Sequence, residues 1–353
     1  MELVIAEKPS VGQDLARVLQ GPFQKKEGWL EGPTHVVSWA VGHLVQLADP
    51  DEYDDKFKKW RMADLPIVPE RFKLVVRDER SKKQMNVVKR LLARDDVDLI
   101  VNACDAGREG ELIFAYLYEK SGSKKPVQRL WLNSMTRAAI QSAFGELRPS
   151  ADFVPLREAA RSRSEADWIV GMNATRAATI RLRASFDVAV SLGRVQTPTL
   201  AMLVKREREI QAFVAEPYWL VHAAFQPPYQ GIWFEGDETR IKAVERADEI
   251  VSKVGGKDGT ITKVERKEQS ERAPLLYDLT SLQRDANRRF GFSARRTLQA
   301  AQKLYEDKKA ITYPRTSSRY LSGDMVPQLK IVASTLQDVN EYREAATNVM
   351  RLD

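Results

Sequence analysis

Over the first 150 positions, short unbroken apolar runs alternate with stretches of helical periodicity. Leu3-Val4-Ile5 reads as a buried strand, and Val11, Leu15, Val18 and Leu19 then recur at helical spacing, predicting a helix with Ser10 as its N-cap. The pattern returns further on: residues 97–101 read as a second buried strand and 111–120 as a helix turning Leu112, Ile113, Tyr116 and Leu117 inward. Strand and helix in alternation predict an α/β architecture on a mostly parallel sheet. From 155 to about 213 the spacing is that of long amphipathic helix rich in Ala and Arg, interrupted near 185–193. Between 218 and 267 alternation takes over, with WLVHAAF, the turn PPYQG and IWFEG predicting a hairpin and GTITKVERK a further strand. Helical spacing resumes after Pro274. These shifts predict a multidomain chain divided at 1–150, 151–215, 216–274 and 275–353, without internal repeats.

Composition narrows the chemistry. A length of 353 residues suffices for several self-supporting domains. One cysteine, Cys104, rules out an internal disulfide, and with three histidines there is neither a CxxC nor an HExxH spacing, which excludes thiolate-built zinc sites. The opening MELVIAEKPS turns acidic after one residue and its apolar run stops at Ala6, so it reads as neither a signal peptide nor a membrane span. The expectation is a soluble protein of a reducing compartment. Lys and Arg number 56 against 49 Asp and Glu, a net +7. Much of the excess lies in 281–320, where Arg284, Arg288, Arg289, Arg295, Arg296, Lys303, Lys308, Lys309, Arg315 and Arg319 face only Asp285, Glu306 and Asp307. Alone, such a run is a solvated helix face; it also suits a polyanionic partner.

Two acidic clusters follow the predicted strands: Glu7, and Asp105-Ala106-Gly107-Arg108-Glu109. The carboxyl ends of strands are where open α/β sheets bind ligands. Carboxylates converging from neighbouring strand ends are hard oxygen donors suited to Mg²⁺. Capping of helix N-termini explains either cluster singly, whereas the two together favour a metal.

EKPS after the first strand and DAGREGELI after a later one resemble the two signatures of a Toprim domain. ARSRSEADWIVGMNATRA, SLGRVQTPTL, PLLYDLTSLQRDANRRFGFSARRTL and ITYPRTSSRYL resemble successive blocks of type IA DNA topoisomerases, in their bacterial topoisomerase III branch, over residues 1 to about 335. The resemblance implies a Toprim domain followed by helical and β segments of the topoisomerase core. It implies Tyr313 as the nucleophile that attacks a DNA phosphodiester and becomes a 5′-phosphotyrosine. An ordinary phenol, with a pKa near ~10, needs a neighbouring cation for this. Arg315, two residues on, projects to the same side if the stretch is extended. Lys8 beside Glu7 is implied at the scissile phosphate, neutralising it or protonating the leaving 3′ oxygen, and Glu7, Asp105 and Glu109 are implied as ligands of Mg²⁺. DNA contacts are implied for Trp60, Arg163, Trp168, Arg176, Arg183, Arg315 and the loop Ser191-Leu192-Gly193-Arg194-Val195-Gln196. For the two tryptophans core packing is an even alternative, and Arg163 and Asp167 have the spacing of a surface pair. The implied partner is single-stranded DNA, with no membrane or small-molecule substrate, and the implied place is the bacterial cytoplasm. No Walker-type loop is present, in keeping with resealing that needs no ATP.

Two departures stand out. Gly107 occupies the middle position of the family's DxDxE, predicting a single metal ion. The family also continues well beyond the tyrosine block, so the chain reads as C-terminally truncated. A single-strand-binding fragment without turnover is the alternative expectation.

Overall fold

The structure is a computed structural model that describes residues 1–19, 21–182, 188–226, 228–271, 273–308 and 310–351. Its first elements are β1 (Glu2–Ala6), α1 (Pro9–Val18), β2 (Gln24–Lys26), β3 (Trp29–Glu31), β4 (His35–Trp39), β5 (Val45–Leu47), β6 (Leu74–Val76), α2 (Glu79–Leu92), β7 (Leu99–Ala103), α3 (Arg108–Ser121), β8 (Val127–Arg129), α4 (Arg137–Gly145) and β9 (Arg148–Pro149). Seven strands form one sheet in the order β2-β3-β4-β1-β7-β8-β9. The four central strands, β4, β1, β7 and β8, run parallel, while β2, β3 and β9 are antiparallel edges. The mostly parallel sheet expected from the sequence is therefore present.

Because side chains alternate across a strand, β1 feeds two cores. Leu3 and Ile5 pack with Val36, Ile100, the α2 residues Val88 and Leu91, and the α3 residues Ile113, Tyr116 and Leu117. Val4 and Ala6 pack on the opposite face with Val37, Val101, Leu15 of α1 and Ile140 of α4. Helices cover both faces, so β1 is apolar throughout rather than alternating.

The helix starts differ slightly from expectation. α1 begins at Pro9, with extended Lys8 as N-cap and no side-chain cap bond, because proline's fixed φ suits the first helical position. Ser10 thus lies inside the helix. α3 starts directly after Gly107 and ends at left-handed Gly122.

The 28-residue α5 (Val154–Arg181) follows. A second compact unit, Val195–Ala273, contains α6 (Gln196–Gln211), the hairpin β10 (His222–Phe225) and β11 (Tyr229–Ile232), and α7 (Val244–Val254). Its small core joins Ile241, Ala247 and Ile250 to Trp219, Val221 and Trp233. The hairpin matches the sequence pattern, but 259–267 is exposed and unpaired rather than a strand. A strand needs a neighbouring edge for its backbone groups, and this stretch has none among the described residues.

The remaining residues, Pro274–Asp353, belong to the same compact unit as Met1–Arg194. They form α8 (Leu279–Phe290), α9 (Ala294–Glu306), α10 (Val326–Leu336) and α11 (Arg343–Met350). Among the described residues no helix is long and apolar enough to cross a membrane.

Candidate active site

The parallel register sets Ala6 beside Ala103, so the residues leaving β1 and β7 emerge together. Glu7, only 7% exposed, accepts the Asp105 backbone N–H at 3.4 Å. Lys8 Nζ lies 3.2 Å from Glu7 Oε1 and 3.5 Å from Asp105 Oδ2, tying the two carboxylates to one ammonium. The same ammonium sits 4.9 Å from the centre of the Tyr313 ring. Residues 7–8, 105 and 313 are thus gathered into one cluster.

Each charge alters its neighbours. Burial, and then the charge of Asp105, push the Glu7 carboxyl above its ordinary value, with Lys8 opposing. For Lys8, burial disfavours the charged form, but the charges of Asp105 and Glu7 outweigh it and hold the ammonium above its usual range.

Beneath the cluster lies support that the sequence reading missed. Arg129, 1% exposed, places Nε 2.5 Å from Glu111 Oε1. Its Nη1 donates to the carbonyls of Asn102, Cys104 and Leu130, and its Nη2 donates to that of Asp105. One guanidinium therefore fixes the backbone that ends β7 and presents Asp105. Gly110 allows α3 to approach this loop, because a Cβ there would meet the Asp105 carbonyl oxygen at 2.1 Å. The glycine was visible in DAGREGELI, although nothing local in the sequence identifies its neighbour. Arg129 carries no local signal, because its partners come from other elements.

The tyrosine segment is attached by a few polar bonds. Ser134 and Thr136 hydroxyls donate to Asp324 Oδ2 at 2.7 and 2.9 Å. Arg319 Nε donates to the Leu276 carbonyl, and Leu279 N–H to that of Thr316.

Several expected residues lie elsewhere. Glu109 is turned to His43, away from Glu7 and Asp105, because it projects from the exposed side of the first turn of α3. Arg315 is exposed on a bend at 314–315, so the same-side argument for extended chain does not apply. Trp168 is half-buried and packed: its Nε1–H donates to the Ala48 carbonyl and its ring meets Tyr53 and Phe72 edge-on, the packing alternative to a DNA contact. Arg176, 5% exposed, donates to the Phe57 carbonyl and lies 5.2 Å from the Trp60 ring centre. Burial lowers its pKa. It underpins the 50–69 loop rather than facing outward.

Asp167 lies between Arg163 and Arg194, paired to both. The loop ahead of Arg194 is strapped to α5, with Thr175 Oγ1 accepting the Leu192 N–H and donating to its carbonyl. Ser191 N–H donates to the Ala189 carbonyl, and Gly193 follows half-buried. Exposed Val195 is the N-cap of α6, and exposed Gln196 its first residue. Arg183 lies outside the described residues.

Among the described residues, no three His, Cys, Asp or Glu side chains converge as a metal site. Glu7 and Asp105 still fit one hard cation. They are two close oxygen donors, their mutual repulsion raises Glu7, and a single ammonium offsets them.

Residues 2–135 match the family model described as the Toprim domain, and residues 153–352 match the one described as DNA topoisomerase. The chain belongs to the DNA topoisomerase family. Its first domain is of the Toprim type, a metal-binding domain in such enzymes. It is 49% identical over 330 residues to DNA topoisomerase 3 of Bacillus subtilis (strain 168), covering 93% of this chain and 44% of that protein. It is 46% identical over 350 residues to DNA topoisomerase 3 of Bacillus cereus (strain ATCC 14579), covering 99% of this chain and 47% of the relative. The chain therefore spans about half the length of the curated relatives it matches. Among solved structures, full-length topoisomerase I from Thermotoga maritima shares the fold, with a TM-score of 0.59 over 96% of this chain and 52% of that one at 23% identity.

Proposed function

We infer that this chain carries the strand-cleaving centre of a type IA, topoisomerase III-like enzyme acting on single-stranded DNA. The observation that carries the reading is the meeting of Tyr313 with Lys8, the ammonium shared by Glu7 and Asp105. In the proposed step the Tyr313 phenol oxygen bonds to phosphorus and the bond from phosphorus to the 3′ oxygen breaks. The products are a 5′-phosphotyrosine and a free 3′-hydroxyl. Reversal reseals the strand, and because one ester replaces another, no ATP is required.

Lys8 supplies positive charge at the scissile phosphate. Its ammonium is held so firmly charged by Asp105 and Glu7 that it is a weak acid, which favours charge neutralisation over proton donation. The phenol proton lost by Tyr313 is balanced by the one gained by the leaving 3′ oxygen, and Glu7 acts as a carboxylate when it holds the ion. Glu7 and Asp105 would hold Mg²⁺, with Glu109 outside their set. When bound, the ion adds electrostatic stabilisation at the phosphate. Arg315, exposed on the tyrosine segment, and the exposed basic residues of α8 and α9 offer phosphate contacts. Trp60, backed by Arg176, offers a stacking face. Arg163, Arg194 and the loop at 191–194 offer further donors to a phosphate backbone. Topologically, successive cleavage and resealing would relax or unlink DNA in the bacterial cytoplasm, with the 275–353 segment as the part that moves.

Single-stranded DNA labelled at its 3′ end, incubated with the chain and Mg²⁺ and then denatured, is expected to transfer label to protein. Tyr313→Phe is expected to abolish transfer while leaving single-strand affinity nearly unchanged. Binding without transfer by the unaltered chain would instead indicate a DNA-binding piece without turnover, and label surviving Tyr313→Phe would assign the nucleophile to another residue.

A further inference from the structure

We propose that Tyr305 is a positioning residue for the nucleophile: its ring, set edge-on against Tyr313, fixes the direction in which the Tyr313 phenol oxygen is presented beside Lys8. The proposal rests on the reading of Tyr313 as the attacking residue.

The two tyrosines sit on different kinds of backbone. Tyr305 is in the last turn of α9, a helix capped by Ser293, whose Oγ accepts the Arg296 N–H at 3.2 Å, and rooted by buried Thr297 and Ala301. Tyr313 stands beyond the helix on irregular chain and is 38% exposed. The ring centroids are 5.4 Å apart with 66° between planes, the edge-to-face arrangement that aromatic quadrupoles favour. With Lys8 4.9 Å from its centroid, the Tyr313 ring is held by a cation and by the ring of Tyr305. A helix-borne ring thus orients a loop-borne one.

Packing alone is the plainer explanation of an aromatic pair. Here neither ring belongs to the clusters around β1 or to the core of the second unit. The pair therefore lies at the site rather than in a core that needs it. Tyr305 also feels the site's charges: burial raises its phenol pKa, Asp14 raises it further, and Lys8 and Asp105 act on it as well.

Orientation of a reacting atom affects rate more than binding. In the 353-residue chain with 3-fluorotyrosine at position 313, Tyr305→Leu is expected to move the fluorine resonance toward that of free fluorotyrosine, and Tyr305→Phe to leave it near the unaltered position. In the labelled-strand assay Tyr305→Leu is expected to slow adduct formation about tenfold, with unchanged single-strand Kd, and Tyr305→Phe to restore the rate. A fluorine resonance unmoved by Tyr305→Leu, or Tyr305→Phe behaving as Tyr305→Leu does in both readouts, would overturn the proposal. If the unaltered chain forms no adduct, the cleavage reading fails, while the fluorine signal still decides the role of Tyr305. Should Tyr305→Leu not fold, Tyr305→Met, similar in volume and without a ring, takes its place.

Discussion

The carboxylate half of the site and the tyrosine half are held by different means. Glu7 and Asp105 stand on strands buried on both faces, with Arg129 bonded to four backbone carbonyls beneath them. Tyr313 is held by one ammonium, one ring, and a segment joined to the sheet region at Asp324 through two hydroxyls. The backbone that presents the acids is built onto the core, while the tyrosine segment is docked against it. The proposed cleavage, in which the broken strand is parted while one end stays bonded to protein, suits such a division: the carboxylate half would stay fixed while the tyrosine half leaves with the DNA.

The strongest way to break the comparison is from below. Arg129→Met takes the guanidinium away from Glu111 and from the four backbone carbonyls it bonds. It is expected to cost roughly 3–5 kcal/mol of stability, read from urea unfolding. A loss confined to the tyrosine segment, with the sheet unaffected, would show that Arg129 does not anchor the carboxylate half.

A second effect depends on pH. Because folding raises the Glu7 carboxyl above its ordinary 4.5, the folded chain holds that proton more tightly than the unfolded one. Stability is therefore lost as pH rises from 4.5 through the raised value, and the full cost is present above it. Glu7→Gln is expected to leave Tm unchanged well below this window and to raise it above. Mg²⁺ is expected to stabilise the unaltered chain more than the variant, because it binds the folded carboxylates. A variant less stable than the parent at neutral pH without Mg²⁺ would contradict the unfavourable burial of Glu7.

The smallest expected effect on the fold comes from Gly107→Asp. The backbone there is extended, at φ 174°, and an added Cβ meets nothing within 4 Å. Stability is expected to stay within about 0.5 kcal/mol, while calorimetry finds tighter Mg²⁺ binding through the added carboxylate. Unchanged affinity would place position 107 outside the metal's reach.

The sheet was legible in the sequence because its signal is local. Leu3-Val4-Ile5 is apolar on both faces for the same reason that helices cover both, and α3 shows its buried side at helical spacing. The joining of Glu7 to Asp105 was legible too, since parallel strands bring their carboxyl ends together. What stayed hidden depends on partners distant in the chain. Trp60 and Trp168 are alike as letters, yet one lies against Arg176 and the other is fixed to Ala48, Tyr53 and Phe72. Glu109 shares a motif with Asp105 but leaves the helix in another direction, toward His43. The 259–267 stretch has the alternation of a strand and lacks an edge to pair with among the described residues. Arg129 is one arginine of many until four carbonyls converge on it.

Amide hydrogen exchange in the unaltered chain compares the two halves most directly. Amides of 99–105 are expected to exchange only with global unfolding, and those of 311–325 orders of magnitude faster through local opening, slowed when single-stranded DNA is bound. Equal protection in the two segments, or protection in 311–325 matching the global unfolding free energy, would contradict a docked and releasable tyrosine half.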